Sequence, residues 1–218
     1  NQTLRLVPDA KSLISVSENQ TSFLIIDEAY TVEREVNIYD LREFISVLNL
    51  VTEPTISLSR NACVTIKSSD GSQVLHYQEC DEDFVSSYSE RLPDLKRVES
   101  IVTMGAGEFK SVIVAARTMK LSYIGFESDG DQVAMVAFDK NDGDERETNS
   151  FRINIGDSDT DVPFKAYFNL DNNNPSVLAD EGDLEFVLCS NPMCSKITTT
   201  SGKTFYLAFD VSSKFGNV

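Results

Sequence analysis

The pattern of apolar and polar positions predicts two amphipathic helices set among many short strands. In residues 107–120 the apolar side chains fall at positions i, i+3, i+4 and i+7, the spacing of a single buried helix face. Residues 40–50 repeat this spacing behind an Asp and Glu pair that resembles a capping box. The predicted stripes are Phe109, Val112, Ile113 and Ala116 in the later segment, and Leu41, Phe44, Ile45 and Leu48 in the earlier one.

Around these helices the chain alternates apolar and polar residues in short runs typical of strands. Asp-Gly pairs at 70–71 and 129–130 separate such runs and predict hairpin turns. A third, shorter helix is predicted at 170–178, with Pro175 in its first turn. One helix followed by several strands thus appears three times, and the strands of residues 1–36 form a fourth unit without a helix.

This repetition predicts an α+β fold built from repeated β-α-β-β-β units. Repeats of this size normally pack side by side to complete one another's cores. Because strands outnumber helices, we expect the helices to form a layer on one face of curved antiparallel sheets. Residues 86–98 lose both periodicities and contain a proline. This break divides the chain into a domain at 1–90, a linker at 91–98 and a second domain at 99–218.

The helix at 107–120 is basic in a strongly acidic chain. The protein has 19 Lys and Arg against 35 Asp and Glu in 218 residues, a formal net charge of −16. Such a chain repels phosphate at long range, which excludes a generally basic surface for nucleic acid. Lys110, Arg117 and Lys120 either form the ordinary solvent face of an amphipathic helix or line a sheltered surface that holds phosphates without reading bases.

Catalytic, metal and membrane roles find little support in the sequence. The only histidine, His76, lies in a strand-like run, and the common Gly-rich and nucleophile motifs are absent. The alternating carboxylates at 157–161 lack the glycine and final glutamate of a calcium loop. Four cysteines are too few for a disulfide scaffold, so free thiols are expected. No apolar run approaches the roughly 20 residues that span a membrane.

Two stretches of the chain resemble the processivity sliding clamps of T-even-type phages. Residues 38–51 are similar to the second helix of that family's first domain, and residues 109–142 to the first helix and hairpin of its second domain. The resemblance implies the DNA clamp fold: a closed trimeric ring with pseudo-sixfold symmetry, helices on the inner face and continuous sheets outside. Each domain of the family has two helices, so we expect the N-terminal helix to precede residue 1.

The resemblance also implies a function. The ring would encircle duplex DNA without reading its sequence and tether the replicative DNA polymerase for processive synthesis. A homotrimer opened by a separate clamp loader is expected, not an enzyme, with no cofactor, no metal and no membrane contact, in the cytoplasm of the host cell. An acidic, strand-rich structural oligomer of the virion type is the alternative. The residues expected to face DNA are Arg42, Lys110, Arg117, Lys120, Asn172 and Asn173.

Clamp subunits join through the edge strands of their sheets, which also hides edges that would otherwise aggregate. We expect the last strand of the first domain to meet a strand of the next subunit's second domain. The candidate interface residues are Val74, Leu75 and Tyr77 on one side and Phe151, Ile153 and Ile155 on the other. Partner proteins are expected to dock hydrophobic tail peptides in a pocket near the linker and the C-terminal strand, lined by Leu92, Leu95, Tyr206 and Phe209.

Overall fold

The computed structural model describes most of the chain. The described residues are 3–8, 12–17, 21–26, 31–59, 62–85, 93–139, 149–171, 175, 178 and 182–216. The chain divides into two compact units, Asn1–Arg91 and Leu92–Val218. Each unit contains one α-helix and two sets of antiparallel strands among its described residues.

The first unit holds seven of the described strands. β1 (Thr3–Leu6), β2 (Leu13–Val16), β3 (Ser22–Ile26) and β4 (Val36–Ile38) pair antiparallel in the order β4-β1-β2-β3. Helix α1 (Leu41–Leu48) follows β4. β5 (Thr55–Ser59), β6 (Cys63–Lys67) and β7 (Val74–Gln78) then form an antiparallel sheet in that order, and a short 3₁₀ helix, η1 (Glu82–Phe84), follows β7.

Helix α1 begins at a side-chain cap. The carboxylate of Asp40 accepts hydrogen bonds from the backbone N–H groups of Arg42 and Glu43, both at 3.0 Å. These N–H groups have no partner inside the helix, so the cap satisfies them and favours the helix start. The start predicted at Asp40 is confirmed.

The buried face of α1 differs from the predicted stripe at one position. Phe44 is buried and its ring lies 5.0 Å from that of Tyr77 on β7. Ile45, predicted to be buried, is 48% exposed, whereas Val47 packs against the core. The prediction for Ile45 is wrong because the sheet covers the side of the helix that carries Val47.

The second unit holds nine of the described strands. They are β8 (Arg97–Met104), β9 (Tyr123–Ser128), β10 (Gln132–Phe138), β11 (Ser150–Asp157), β12 (Phe164–Asn169), β13 (Leu184–Asn191), β14 (Met193–Thr199), β15 (Lys203–Ala208) and β16 (Lys214–Phe215). One set pairs in the order β15-β14-β13-β8, and the other forms a sheet in the order β11-β10-β9-β12-β16. Helix α2 (Ala106–Met119) connects β8 to β9.

Helix α2 lies against β9, β10 and β11. Its predicted apolar stripe is confirmed, since Phe109, Val112, Ile113 and Ala116 are all at most 3% exposed. At its start, Oε2 of Glu108 accepts a hydrogen bond from the backbone N–H of Gly105 at 3.0 Å. The helix ends at Met119, and the cap residue Lys120 that follows adopts the left-handed conformation with φ 57°.

Both hairpin turns predicted from Asp-Gly pairs are present. Gly71 and Gly130 have φ values of 71° and 103°, in the region that glycine adopts without steric cost. A Cβ on Gly130 would also lie 2.7 Å from the carbonyl oxygen of Asp161. The turn between β9 and β10 therefore requires glycine on both grounds.

Two predicted segments differ from the structure or fall outside it. β8 begins at Arg97, so residues 97 and 98 belong to a strand and not to the linker predicted at 91–98. Residues 86–92 lie outside the described part of the chain. The same holds for most of the helix predicted at 170–178, although Leu178 is fully buried. The predicted α+β class with antiparallel sheets is confirmed.

Candidate nucleic-acid and subunit interfaces

The exposed side of α2 carries two of the cations predicted to face DNA. Lys110 and Arg117 are exposed and seven residues apart. At 3.6 residues per turn they lie on nearly the same line along the helix. Val114 lies between them and is 52% exposed. The buried stripe occupies a different face, so both charged groups reach solvent.

The C-terminal end of α2 carries a further cation. The backbone N–H of Lys120 bonds the carbonyl oxygens of Ala116 and Arg117 and so caps the helix. A cation here is favoured by the partial negative charge of the helix C-terminus. Arg117 and Lys120 together form what we call the basic end of α2.

The other residues predicted to face DNA contribute less positive charge. Arg42 is exposed in the first turn of α1, but Asp40 and Glu43 lie beside it in sequence. The net charge at this helix start is therefore negative. Asn172 and Asn173 lie outside the described residues.

The six predicted interface residues lie on two end strands. β7 and β11 each stand at the end of the strand order of their own sheet, as far as the described residues show. Their apolar residues are half-buried or exposed: Val74, Leu75 and Tyr77 in β7, and Phe151, Ile153 and Ile155 in β11. Each strand thus presents backbone N–H and C=O groups along one edge, the chemistry through which sheets extend.

A groove of about 660 Å³ runs beside α2 at the β11 edge. Its lining residues are Gly107, Lys110, Ser111, Val114, Ala115, Thr118, Met119 and Phe151. Sequence reasoning missed Val114 as a surface feature. The sequence does contain a signal for it. Val114 lies on the same helix line as Lys110 and Arg117, at a position where a solvent-facing helix normally carries a polar residue.

Phe209, predicted for the peptide pocket, belongs to the core. It is 8% exposed, and its ring centre lies 5.1 Å from that of Phe168 and 5.9 Å from that of Phe215. These aromatic contacts fill the space that a docked peptide would need. The prediction for Phe209 is therefore corrected.

Tyr206 is also buried, at 7% exposed, although its position along β15 alternates with those of Phe205 and Leu207. Four residues lie opposite one another across neighbouring strands: Tyr206 on β15, Lys196 on β14, Val187 on β13 and Ile101 on β8. We call Ile101, Val187, Lys196 and Tyr206 the outer row. Ile101 is 48% exposed, and burial raises the pKa of the Tyr206 phenol. Leu95 is half-buried, and Leu92 lies outside the described residues.

The carboxylates at 157–161 hold neighbouring segments together. Asp159 accepts hydrogen bonds from Oγ of Ser100 at 2.6 Å and from the backbone N–H of Ile101 at 2.7 Å. Oδ1 of Asp157 accepts one from the side-chain amide of Gln132. The carboxylates of Asp157 and Asp159 therefore stabilise their own loop and its contact with β8 through hydrogen bonds.

Other polar chemistry in the described residues is sparse. Nδ1 of His76 lies 3.1 Å from Oγ1 of Thr65 on the neighbouring strand, a cross-strand contact. No group of three His, Cys, Asp or Glu suited to hold a metal occurs in the part of the chain that the structure describes. No helix among those residues is long and apolar enough to cross a membrane.

Comparison with known proteins gives one curated relative and many similar folds. No protein-family model matches the chain. It is 27% identical over 173 residues to the protein named sliding clamp of Vibrio phage KVP40, covering 75% of this chain and 74% of the relative.

The fold is also similar to solved clamps from cells. The PCNA2–PCNA3 complex of Sulfolobus tokodaii matches with a TM-score of 0.65 and 15% identity, over 95% of this chain and 89% of that one. PCNA of A. fulgidus, bound to the C-terminal region of FEN-1, matches with a TM-score of 0.66 and 17% identity. The match covers 98% of this chain and 90% of that one. The H. pylori beta clamp matches with a TM-score of 0.67 and 15% identity, over 96% of this chain and 59% of that chain.

Antiparallel sheets with few helices, and the likeness to PCNA and beta clamps over nearly the whole chain, define the DNA clamp fold. The chain has the fold of sliding clamps and is similar in sequence to a phage protein of that name, so the resemblance to phage clamps noted in its sequence is confirmed. Sliding clamps are not enzymes, so the prediction that this chain has no catalytic activity is confirmed by the same comparison.

Proposed function

We propose that three copies of this chain close into a ring around duplex DNA and tether the replicative polymerase in the cytoplasm of the host cell. The observation that carries the proposal is the basic, exposed side of α2 in a clamp-fold chain of net charge −16. A ring holds DNA by enclosing it, so its contacts with DNA need not be strong.

Lys110 and Arg117 are proposed to meet the phosphates. Their long side chains gain from counterion release and carry no base-specific information. The acidic remainder of the chain repels phosphate, which confines DNA contact to the inner helices. Arg42 adds a cation on α1, and Asn172 and Asn173 would add amide donors.

The ring is proposed to close through β7 of one copy and β11 of the next. Pairing would satisfy backbone groups along both edges and cover the half-buried apolar residues of each strand. The half-buried residues Leu75 and Tyr77 on β7, and Phe151, Ile153 and Ile155 on β11, fit this arrangement because they alternate with exposed residues along each strand.

The polymerase and a clamp loader are proposed to dock short hydrophobic peptides on the outer row. The A. fulgidus clamp binds the C-terminal region of FEN-1. In this chain Ile101, which is 48% exposed, supplies apolar surface on this sheet face, and Leu95 lies just before the strand that begins the face.

Primer extension on circular DNA with the cognate polymerase and loader tests the function. The parent should lengthen the products made in one binding event. Lys110→Glu combined with Arg117→Glu should shorten them by about an order of magnitude, because both phosphate contacts become repulsive.

The matched control reverses two exposed cations elsewhere, with Lys96→Glu and Lys214→Glu. It should perform like the parent. Failure of the parent to lengthen products would overturn the clamp function. Equal performance by the α2 variant and the control would overturn the assignment of Lys110 and Arg117.

A further inference from the structure

Two large aromatic side chains stand exposed together in the first unit. Tyr39 is 50% exposed and Phe84 is 62% exposed, and their ring centres lie 6.4 Å apart, edge to face. A paired aromatic surface of this kind, with a polar rim, marks a contact site more often than bare surface. It plays no part in the DNA or peptide surfaces described above.

Carboxylates surround this aromatic pair. Asp81, Glu82 and Asp83 are exposed on and just before η1, next to Phe84. Asp40 and Glu43 lie at the start of α1, next to Tyr39, with Arg42 as the one cation among these neighbours in sequence. The chemistry fits an occupant with Lys or Arg, whose aliphatic stem covers a ring while its charge meets the carboxylates.

The aromatic pair lies at the C-terminal end of the edge strand β7. Just after β7, the backbone N–H of Cys80 donates to the carbonyl oxygen of Asn37 at 3.1 Å, two residues before Tyr39. η1 follows within a few residues and ends at Phe84. Whatever pairs with β7 therefore brings one of its ends next to Tyr39 and Phe84.

In the second unit, the basic end of α2 lies at the N-terminal end of the edge strand β11. Ser150, the first residue of β11, registers with Phe138, and Phe138 registers with Tyr123, the first residue of β9. Only Leu121 and Ser122 separate Lys120 from Tyr123. The start of β11 and the basic end of α2 thus share one end of the sheet.

Strand direction decides which ends meet when β7 of one copy pairs with β11 of another. The neighbouring strands within each unit pair antiparallel throughout the described residues. A parallel pairing would bring the acidic residues 81–83 towards the far end of β11. An antiparallel pairing brings them to the start of β11 and the basic end of α2.

We infer that Tyr39, Phe84 and the carboxylates beside them receive Lys120 and Arg117 of a second copy of this chain. The inference rests on the proposed ring and gives its interface a charged, aromatic contact beyond the paired strands. Lys120 then contacts the neighbouring subunit instead of DNA. Arg117 serves both surfaces, at the point where the subunit contact meets the DNA-facing line of α2.

The test is the dissociation of the full chain on dilution, followed by sedimentation and light scattering. Lys120→Glu and Phe84→Ser should each raise the concentration at half-dissociation by about tenfold, since each removes one side of a charged or aromatic contact. Neutralising Asp81, Glu82 and Asp83 together should have a similar effect. Combined with Lys120→Glu, it should add little, because both changes break the same contact.

Matched controls are Lys214→Glu, which reverses a charge on β16 at the other end of the sheet from β11, and Val211→Ser, which removes an apolar side chain that is 97% exposed. Both should dissociate like the parent. If the parent forms a trimer and the test variants dissociate like the controls, this inference is overturned while the ring stands. A parent that is monomeric at every concentration would overturn the ring and this inference together.

Discussion

At the scale of single residues, Arg34 fixes the segment that leads to the acidic, aromatic surface of the first unit. Its guanidinium donates to both carboxylate oxygens of Glu79 and to the carbonyl oxygens of Ser59 and Glu35. The Glu79 side chain is only 4% exposed, and its hydrogen bond raises the pKa of Arg34. A carboxylate so buried needs its partner. The pair therefore holds the chain just after β7 in one position.

Asp70 in the β6–β7 turn gives a prediction about pH. Its carboxylate accepts hydrogen bonds from Oγ of Ser68 at 2.5 Å and from the backbone N–H of Ser72 at 3.0 Å, which lower its pKa to about 2. Because the folded pKa lies below the unfolded one, the carboxylate stabilises the fold above about pH 4, and this contribution is lost as the pH falls towards 2.

Carboxyl-carbon NMR of Asp70 measures this directly. Its titration midpoint should lie near pH 2 in the parent and should rise in Ser68→Ala, which removes the largest cause of the shift. Ser72→Ala keeps the backbone donor and should move the midpoint less. A parent midpoint near pH 4, the ordinary value for aspartate, would contradict the hydrogen bonds of this turn.

At the scale of elements, sequence periodicity predicts α2 completely and α1 in part. In α2 the stripe spans a long helix, so one choice of face accounts for its four buried residues, whereas Val114 lies exposed outside that face. α1 has eight residues, and Ile45 and Val47 both fit a helical stripe through Phe44. The choice between them depends on where β5–β7 cover the helix, which the spacing within α1 does not contain.

Strand parity puts Tyr206 and Phe209 on opposite sides of the chain, although both are buried. Phe205 and Leu207 are buried towards the core, and Phe209 continues their side of the chain. Tyr206 lies an odd number of residues from Phe209, so the two side chains face opposite ways along extended backbone. Residues 205–209 are Phe-Tyr-Leu-Ala-Phe, without polar residues between them, so the sequence pattern does not show which side faces the core. The partners of Phe209 come from β12 and β16 and follow only from the fold.

The two faces of α1 predict different costs of truncation. Phe44→Ala should lower the free energy of unfolding by about 3–5 kcal/mol, because it empties a buried site beside Tyr77. Ile45→Ala should change it by less than about 1 kcal/mol, because the side chain is already half in water. Urea unfolding of both variants at one protein concentration measures the difference. Equal costs would contradict the orientation of α1.

At the scale of the whole molecule, the charge distribution suits enclosure better than adhesion. A chain of net charge −16 repels DNA phosphates at long range. The exposed cations of α2 are Lys110 and Arg117 along one line of the helix and Lys120 at its C-terminal end. The inferred subunit contact uses Lys120 and shares Arg117 with the DNA-facing line. The strength of binding then has to come from linkage of ring and duplex, with phosphate contacts keeping the duplex centred.

This view predicts that retention on DNA depends on the shape of the DNA and only weakly on salt. Clamps loaded on nicked circular DNA should stay bound at salt concentrations that abolish ordinary phosphate contacts, because salt screens charge but does not open a closed ring. Cutting the same circle once should release them, since the ring can slide off an end. Gel filtration of the DNA before and after cutting measures retention. Equal loss from cut and uncut circles at high salt would mean that electrostatic contact, and not enclosure, holds this clamp on DNA.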